Sequence, residues 1–161
     1  MATEDLSNVN DLNFGTTLED PSKPDSDYAI MSTSEVYLLL SSQSSDDQTS
    51  VYNKCLGYSK RFCGLLGGME GVSEMGREER GRGVEDLKEL LLQKQYQNPS
   101  TGSTVQLHRY EATKLLDLMS LTSDAEEAFC LIPSLEGRFT GEQVGEYLEL
   151  VKRTMRNFQG V

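Results

Sequence analysis

The sequence predicts an all-α protein, a small helical bundle preceded by an acidic N-terminal tail. Apolar residues recur at spacings of three and four in several segments, which is the pattern of amphipathic helices. Ser or Thr followed three residues later by Glu or Gln marks several helix starts as capping boxes. No pair of segments alternates apolar and polar residues as two paired strands would. The length of 161 residues suits one domain with a tail.

Residues 1–27 are predicted to form a disordered acidic tail. They hold seven acids against one lysine, so more than half of the formal net charge of −11 lies there. Because few large apolar side chains accompany these charges, burial cannot offset the entropy of ordering the backbone. We therefore assign the helical domain to residues 28–159.

The domain is predicted to begin with a short extended segment and two helices. Tyr28–Met31 is the extended candidate, and Ser32 with Glu35 forms a capping box that starts a short helix. A polar loop follows at residues 41–50. A longer amphipathic helix is then indicated by one apolar stripe, formed by Val51, Cys55, Tyr58 and Phe62.

Two stretches interrupt the helical pattern. Residues 64–83 contain seven of the 14 glycines, and no stable element is expected there. A helix resumes at Val84, Leu87, Leu90 and Leu91, and residues 98–104 break it again. We therefore predict flexible insertions at about 64–83 and 97–107. A bundle tolerates such insertions because closure entropy grows slowly with loop length.

Three helices are predicted to close the chain, and the last two meet at a sharp corner. Ser123 with Glu126 forms a capping box, Pro133 ends that helix, and Thr140 with Gln143 caps the next. The residues predicted to form the core of this corner are Phe129, Ile132, Leu135 and Phe139. The last helix has the most regular stripe, which predicts a core-facing side formed by Val144, Tyr147, Leu148, Val151, Met155 and Phe158.

No residue pattern indicates catalysis or a cofactor. The glycine-rich stretch lacks the Gly-Lys-Ser/Thr end of a phosphate-binding loop, and His108, the single histidine, has no second ligand or nucleophile pattern beside it. Cys55, Cys63 and Cys130 contain no Cys-x-x-Cys pair, so each is interpreted as a buried structural thiol. No apolar run approaches the roughly 20 residues of a membrane span. We expect no enzyme activity, no cofactor, no metal and no membrane partner.

One sequence string is specific enough to suggest a family. The run TSDAEEAFCLIPSLEGRF at 122–139, followed by an amphipathic helix that ends in RNFQ, closely resembles the C-terminal half of the fourth subunit of RNA polymerase II. Weaker strings in the same order extend the resemblance back to about residue 28: SEV at 34–36, LLL at 38–40, YSKRF at 58–62, LLLQK at 90–94 and HRYEA at 108–112. The two insertions are longer than the connections expected in that family.

The resemblance implies a helical bundle of the HRDC-like type, shared with the C-terminal domains of helicases. In that family the subunit pairs with the seventh polymerase subunit and forms the stalk beside the RNA exit channel, in the nucleus. The stalk supports transcription initiation and docking of RNA-processing factors, while the large subunits carry the chemistry. We expect RNA contact mainly through the partner, because a net charge of −11 opposes binding of a polyanion. Two alternatives stay open: the related stalk subunit of RNA polymerase III, and a free-standing acidic helical adapter.

The start of the domain is the predicted partner-binding site. Tyr28–Met31 is too short to be stable as an isolated strand, so we expect it to add to the sheet of the seventh subunit. Apolar residues of the following helix would then pack beneath it. The predicted site residues are Tyr28, Ile30, Met31, Val36, Leu39 and Leu40.

Overall fold

Six α-helices and one short β-hairpin make up the part of the chain that the computed structural model describes, residues 30–43, 49–63, 73–118 and 124–159. In chain order the elements are α1 (Thr33–Ser41), α2 (Ser50–Phe62), α3 (Glu74–Gln93), β1 (Gln95–Gln97), β2 (Thr104–Gln106), α4 (Arg109–Asp117), α5 (Ala125–Leu131) and α6 (Gly141–Gln159), with a 3₁₀ turn at Pro133–Leu135 between α5 and α6. The all-α class is confirmed. The predicted acidic tail at 1–27 lies outside the described residues.

Two of the three predicted capping boxes are confirmed. At α1, the Ser32 amide donates to Glu35 Oε2 at 2.6 Å, and the Glu35 amide donates to Ser32 Oγ at 3.3 Å. Thr140 and Gln143 exchange the same two bonds, at 2.9 and 3.2 Å, at the start of α6. Both helices therefore begin where a local side chain accepts a first-turn amide that has no partner within the helix.

The capping residue predicted for α5 is wrong by one position. The cap is Asp124, whose Oδ1 accepts the Glu127 amide at 2.9 Å, and Ser123 lies outside the described residues. An aspartate accepts this bond as well as a serine, and its charge also complements the helix dipole. Pro133 ends the helix as predicted, because α5 stops at Leu131.

The prediction that residues 64–83 hold no stable element is wrong for the part from Glu74 onward. This part forms the first half of α3, and Ser73 caps it by accepting the Gly76 amide at 3.2 Å. A Cβ atom on Gly83 would lie 2.7 Å from Phe158 Cζ, so the glycine allows α6 to approach closely. Packing thus outweighs the poor helix propensity of glycine here.

The prediction that no strand pair occurs is also wrong. β1 and β2 pair antiparallel with Tyr96 opposite Val105, so that β1 ends where the predicted second insertion begins and β2 lies inside it. Each strand has three residues, which is too short to show a period of two in the sequence. Asn98 organises the turn, because its Oδ1 accepts the Ser100 amide at 2.8 Å while its Nδ2 donates to the Gly137 carbonyl at 2.8 Å. The hairpin is therefore fastened to the corner between α5 and α6.

The hydrophobic core lies where α3, α4 and α6 meet. From α3 and α4 it takes Val84, Leu87, Leu91, Ala112, Leu115 and Leu116, all buried. The predicted stripe of α6 is confirmed as core-facing, with Val144, Tyr147, Leu148, Val151 and Met155 buried and Phe158 partly buried. At the corner, Ile132, Leu135 and Phe139 are buried as predicted, whereas Phe129 is half-buried against the core.

We expect Phe139→Ala to lower the free energy of unfolding by about 3–5 kcal/mol, because it removes a buried aromatic ring and leaves a cavity. Phe139 is 6% exposed, and its ring lies 5.8 Å from the Tyr147 ring and 6.5 Å from the Tyr96 ring, centroid to centroid. Urea unfolding followed by circular dichroism measures the loss. Leu131→Ala, at a position 59% exposed, is the control and should change stability by less than about 0.5 kcal/mol. An unchanged midpoint for Phe139→Ala would contradict its place in the core.

Candidate partner-binding surface

Three of the predicted partner-binding residues share one face of α1. Val36, Leu39 and Leu40 follow each other at spacings of three and one, which places them on one side of a helix. Tyr37 is 6% exposed and Ser34 is fully buried on the opposite side, whereas Leu39 is 50% exposed. The face formed by Val36, Leu39 and Leu40 is therefore turned away from the core. Its role in partner binding stays a prediction.

The other predicted residues precede α1. Ile30 is half-buried and Met31 is exposed, and neither belongs to a strand in this structure. Tyr28 lies outside the described residues. Addition of this segment to the sheet of a partner also stays a prediction.

Two helices hold the entry into α1 in place. From α3, Lys88 Nζ donates to the Ile30 carbonyl at 2.5 Å and lies 3.1 Å from Glu35 Oε1. From α4, Asp117 Oδ1 accepts the Thr33 amide at 2.9 Å. Burial raises the pKa of Asp117, and the hydrogen bond from Thr33 opposes that rise. These contacts fix where the chain enters the fold, and sequence reasoning had no signal for them because they join residues far apart in the chain.

The apolar stripe that predicted the helix α2 faces solvent in the structure. We name Val51, Cys55, Tyr58 and Phe62 the α2 outer stripe. Val51 is 68% exposed, Tyr58 64% and Phe62 45%, and Cys55 is also exposed. The Tyr58 and Phe62 rings contact each other, with centroids 4.7 Å apart.

The inward face of α2 lies one residue further along the chain. Ser59 and Cys63 are buried there, with Leu56 half-buried and packed against the core. The Ser59 hydroxyl is satisfied within the helix, because it donates to the Cys55 carbonyl at 2.9 Å. Both faces have helical spacing, so periodicity alone does not show which of them turns toward the core. A serine that bonds its own helix can be buried at little cost, so the less apolar face of α2 can turn inward.

The interpretation of the three cysteines as buried thiols holds for one of them. Cys63 is buried, and desolvation raises the pKa of its thiol. Cys55 and Cys130 are exposed, so the prediction is wrong for both. Each of these two occupies a helix position beside an apolar neighbour, and that neighbourhood did not decide which way the residue faces.

Exposed apolar surface is concentrated at the entry segment, α1 and α2. Of the eight large apolar side chains that are exposed among the described residues, five lie there: Met31, Leu39, Val51, Tyr58 and Phe62. The other three, Met75, Leu90 and Leu131, are spread over α3 and α5. A cluster of exposed apolar groups on an otherwise acidic protein is typical of an interaction surface.

A buried carboxylate joins α4 to the corner between α5 and α6. Glu111 is fully buried, and its Oε2 accepts the His108 amide at 2.7 Å as part of the capping box of α4. Its Oε1 accepts the Ser134 hydroxyl at 2.6 Å and Arg138 Nη1 at 2.6 Å. Arg138 Nη2 continues to the Gln106 carbonyl at the end of β2, at 2.7 Å. We name Glu111, Ser134 and Arg138 the Glu111 cluster.

The C-terminal basic residues lie along an open groove beside α6. Lys152, Arg153 and Arg156 line it together with Glu142 and several other side chains, and its volume is about 670 Å³. Lys152 pairs with Glu149 at 3.4 Å, both on α6. Acidic and basic groups thus both line the groove.

Within the described ranges, no group of three or more His, Cys, Asp or Glu side chains is arranged to hold a metal ion. None of the helices found there has the length and apolar character needed to cross a membrane.

We expect Arg138→Ala to destabilise the protein by about 3 kcal/mol or more, because it leaves the buried Glu111 carboxylate without its cation. Thermal and urea unfolding measure the effect. Arg109→Ala is the matched control, since Arg109 is an exposed arginine of α4 close to the same capping box, and it should change stability by less than about 0.5 kcal/mol. Equal loss in both variants would show that the Glu111 cluster adds nothing specific.

His108 should make stability depend on pH below about 6.5, its usual pKa. Burial lowers the pKa of His108 in the folded protein, and its Nδ1 accepts the Tyr110 amide at 3.1 Å, which requires an unprotonated nitrogen. The unfolded chain therefore binds the proton more readily, so stability falls as the pH drops below about 6.5. Urea titrations across this range measure the slope. His108→Asn keeps a capping acceptor but cannot titrate, and its slope should be smaller than that of the unmodified chain.

No protein-family model and no solved structure matches this chain. Membership of the polymerase stalk family is therefore a hypothesis that depends on the sequence strings and on the contacts that their residues make.

Proposed function

We propose that this protein is a non-catalytic subunit of DNA-directed RNA polymerase II. In this proposal it pairs with the seventh subunit to form the stalk, and it supports transcription initiation and docking of RNA-processing factors in the nucleus. The observation that carries the proposal is the Glu111 cluster, because it joins the two most informative strings of the family resemblance. Glu111 belongs to HRYEA, and Ser134 and Arg138 belong to LIPSLEGRF.

The Glu111 cluster explains why these strings would be shared by proteins of one fold. A buried carboxylate needs a cation and hydrogen-bond donors, so none of its partners can change alone without a large cost. Gly137, between Ser134 and Arg138 along the chain, has a φ of 75°, a conformation that favours glycine. The spacing of serine, glycine and arginine in LIPSLEGRF therefore matches one specific corner, and likeness in the string supports likeness in that corner.

The entry segment and α1 supply the proposed contact with the seventh subunit. Lys88 holds the Ile30 carbonyl, so the chain enters α1 from a defined point. The exposed Leu39 and its neighbours Val36 and Leu40 offer apolar area beside that point. A short strand that adds to the partner's sheet would gain backbone hydrogen bonds from pairing and apolar burial from this face. RNA contact in the stalk would come mainly from the partner.

A free-standing adapter is the second candidate, and the exposed α2 outer stripe favours it. Such a stripe can bind any complementary helix or peptide without a polymerase. Affinity purification distinguishes the two. Recovery of a partner with an S1-type RNA-binding fold and of polymerase subunits supports the stalk, whereas a stable monomer without them supports the adapter.

Deleting residues 1–31 should weaken binding to the seventh subunit at least about tenfold, since it removes both the added strand and Met31. Deleting residues 1–20 should leave the affinity unchanged. Isothermal titration calorimetry with the purified seventh subunit measures both. If the full chain and both deletion variants bind the seventh subunit with equal affinity, the entry segment is not part of the interface.

A matched pair of substitutions tests the α1 face in the same titration. Leu39→Glu should reduce affinity, because it places a charge in the proposed apolar contact. Leu131→Glu is the control, since Leu131 is an exposed leucine at 59% compared with 50% for Leu39, but lies on α5. If Leu131→Glu weakens binding and Leu39→Glu does not, the interface lies on the other side of the bundle.

A further inference from the structure

The outer surface of α2 combines exposed aromatic rings with positive charge. Residues 50–62 contain three bases and no acid, in a chain with a net charge of −11. Lys54 stands three residues after Val51 and four before Tyr58, and Arg61 stands three after Tyr58, so both flank the α2 outer stripe. The Arg61 guanidinium lies 5.7 Å from the centre of the Phe62 ring. Lys54 and Arg61 are both exposed.

A ligand for this surface needs negative charge and apolar side chains together. Residues 4–20 of the chain have both, with five acids, no base, and five interspersed apolar side chains: Leu6, Val9, Leu12, Phe14 and Leu18. We propose that residues 4–20 bind to the α2 outer stripe of the same molecule. The acids would face Lys54 and Arg61, and the apolar side chains would cover Tyr58 and Phe62.

The chain has the reach that this proposal requires. Nine residues lie between residue 20 and Ile30, and the ten Cα–Cα steps that join them span up to about 33 Å when extended. The 13 residues of α2 measure about 20 Å along the helix axis. The helix α1, which follows Ile30, packs directly against α2, so the length of this connection exceeds that of the helix it must reach.

Intramolecular binding has a functional consequence. While residues 4–20 cover the stripe, α2 is closed to other acidic or apolar partners, and a partner must compete with the tethered segment. Occupation by the chain's own acids would also reduce non-specific association through the exposed aromatic rings. This inference does not depend on the identity of the protein as a polymerase subunit.

Cys55 provides a direct reporter, because it lies in the α2 outer stripe and is exposed. Cys130 is exposed on α5 and serves as the internal control in the same molecule. The experiment measures the rate at which N-ethylmaleimide labels each thiol, by mass spectrometry of proteolytic fragments, in the full chain and in a variant without residues 1–20. A tethered segment has an effective concentration of about a millimolar, so one that binds with a Kd a few times lower should slow labelling of Cys55 about fivefold. Deletion should therefore raise the Cys55 rate about fivefold relative to Cys130.

Charge variants separate specific binding from general electrostatics. Neutralising the five acids of the segment to Asn or Gln should raise the Cys55 rate as deletion does. The control neutralises five exposed acids elsewhere, Glu79, Glu85, Asp86, Glu89 and Glu136, and should leave the ratio of the two rates unchanged.

Three outcomes would overturn the proposal. The first is a ratio of Cys55 to Cys130 rates that is the same with and without residues 1–20. The second is protection that grows with protein concentration, which would show that a second copy covers the stripe. The third is protection that arises only when the seventh subunit is added, which would assign the stripe to that partner. The first two readouts use the chain alone, so the stalk proposal can fail or hold independently of them.

Discussion

The corner between α5 and α6 depends on one buried carboxylate. Glu111 uses one oxygen to cap α4 and the other to hold Ser134 and Arg138, and Arg138 in turn holds the end of β2. Three segments that are separate in sequence thus take their relative positions from a single side chain with no exposed surface. Such a group is costly to bury, and the cost is offset only while every partner is present. The strings that suggest a polymerase stalk subunit contain these partners, so the residues on which the proposal depends are also those that hold the corner.

Local signals in the sequence predicted the helices well, and tertiary contacts account for the failures. Pro133, the box at Ser32 and the stripe of α6 act within a few residues, so their effects could be predicted without knowledge of the fold. The first half of α3 could not be predicted, because Gly83 is favoured by close approach to Phe158 of α6 and not by helix propensity. The β-hairpin could not be predicted for a similar reason. Its strands are short, and its stability comes from contacts with the corner, such as the bond from Asn98 to the Gly137 carbonyl.

At the candidate surface, too, local features could be predicted from the sequence and long-range contacts could not. The apolar face of α1 could be proposed from spacing, because Val36, Leu39 and Leu40 lie together on any helix. The anchoring of Ile30 by Lys88 joins residues 58 positions apart and had no sequence signal. On α2, two faces have helical spacing. The face that turns toward the core carries Ser59, whose hydroxyl donates to the Cys55 carbonyl. Periodicity thus predicts that a segment forms an amphipathic helix, but on α2 it does not show which face turns toward the core.

The contact between Gly83 and Phe158 has a consequence for biosynthesis. Three glycines, Gly76, Gly81 and Gly83, make the first half of α3 a poor helix by itself, since each costs about 1 kcal/mol relative to alanine. The Phe158 ring packs over Gly83, and the Phe158 carbonyl accepts a hydrogen bond from Arg80 at 3.0 Å. Both contacts come from α6, which leaves the ribosome long after α3. The first half of α3 therefore gains these two contacts only once α6 has been made, so a nascent chain halted before α6 would lack them.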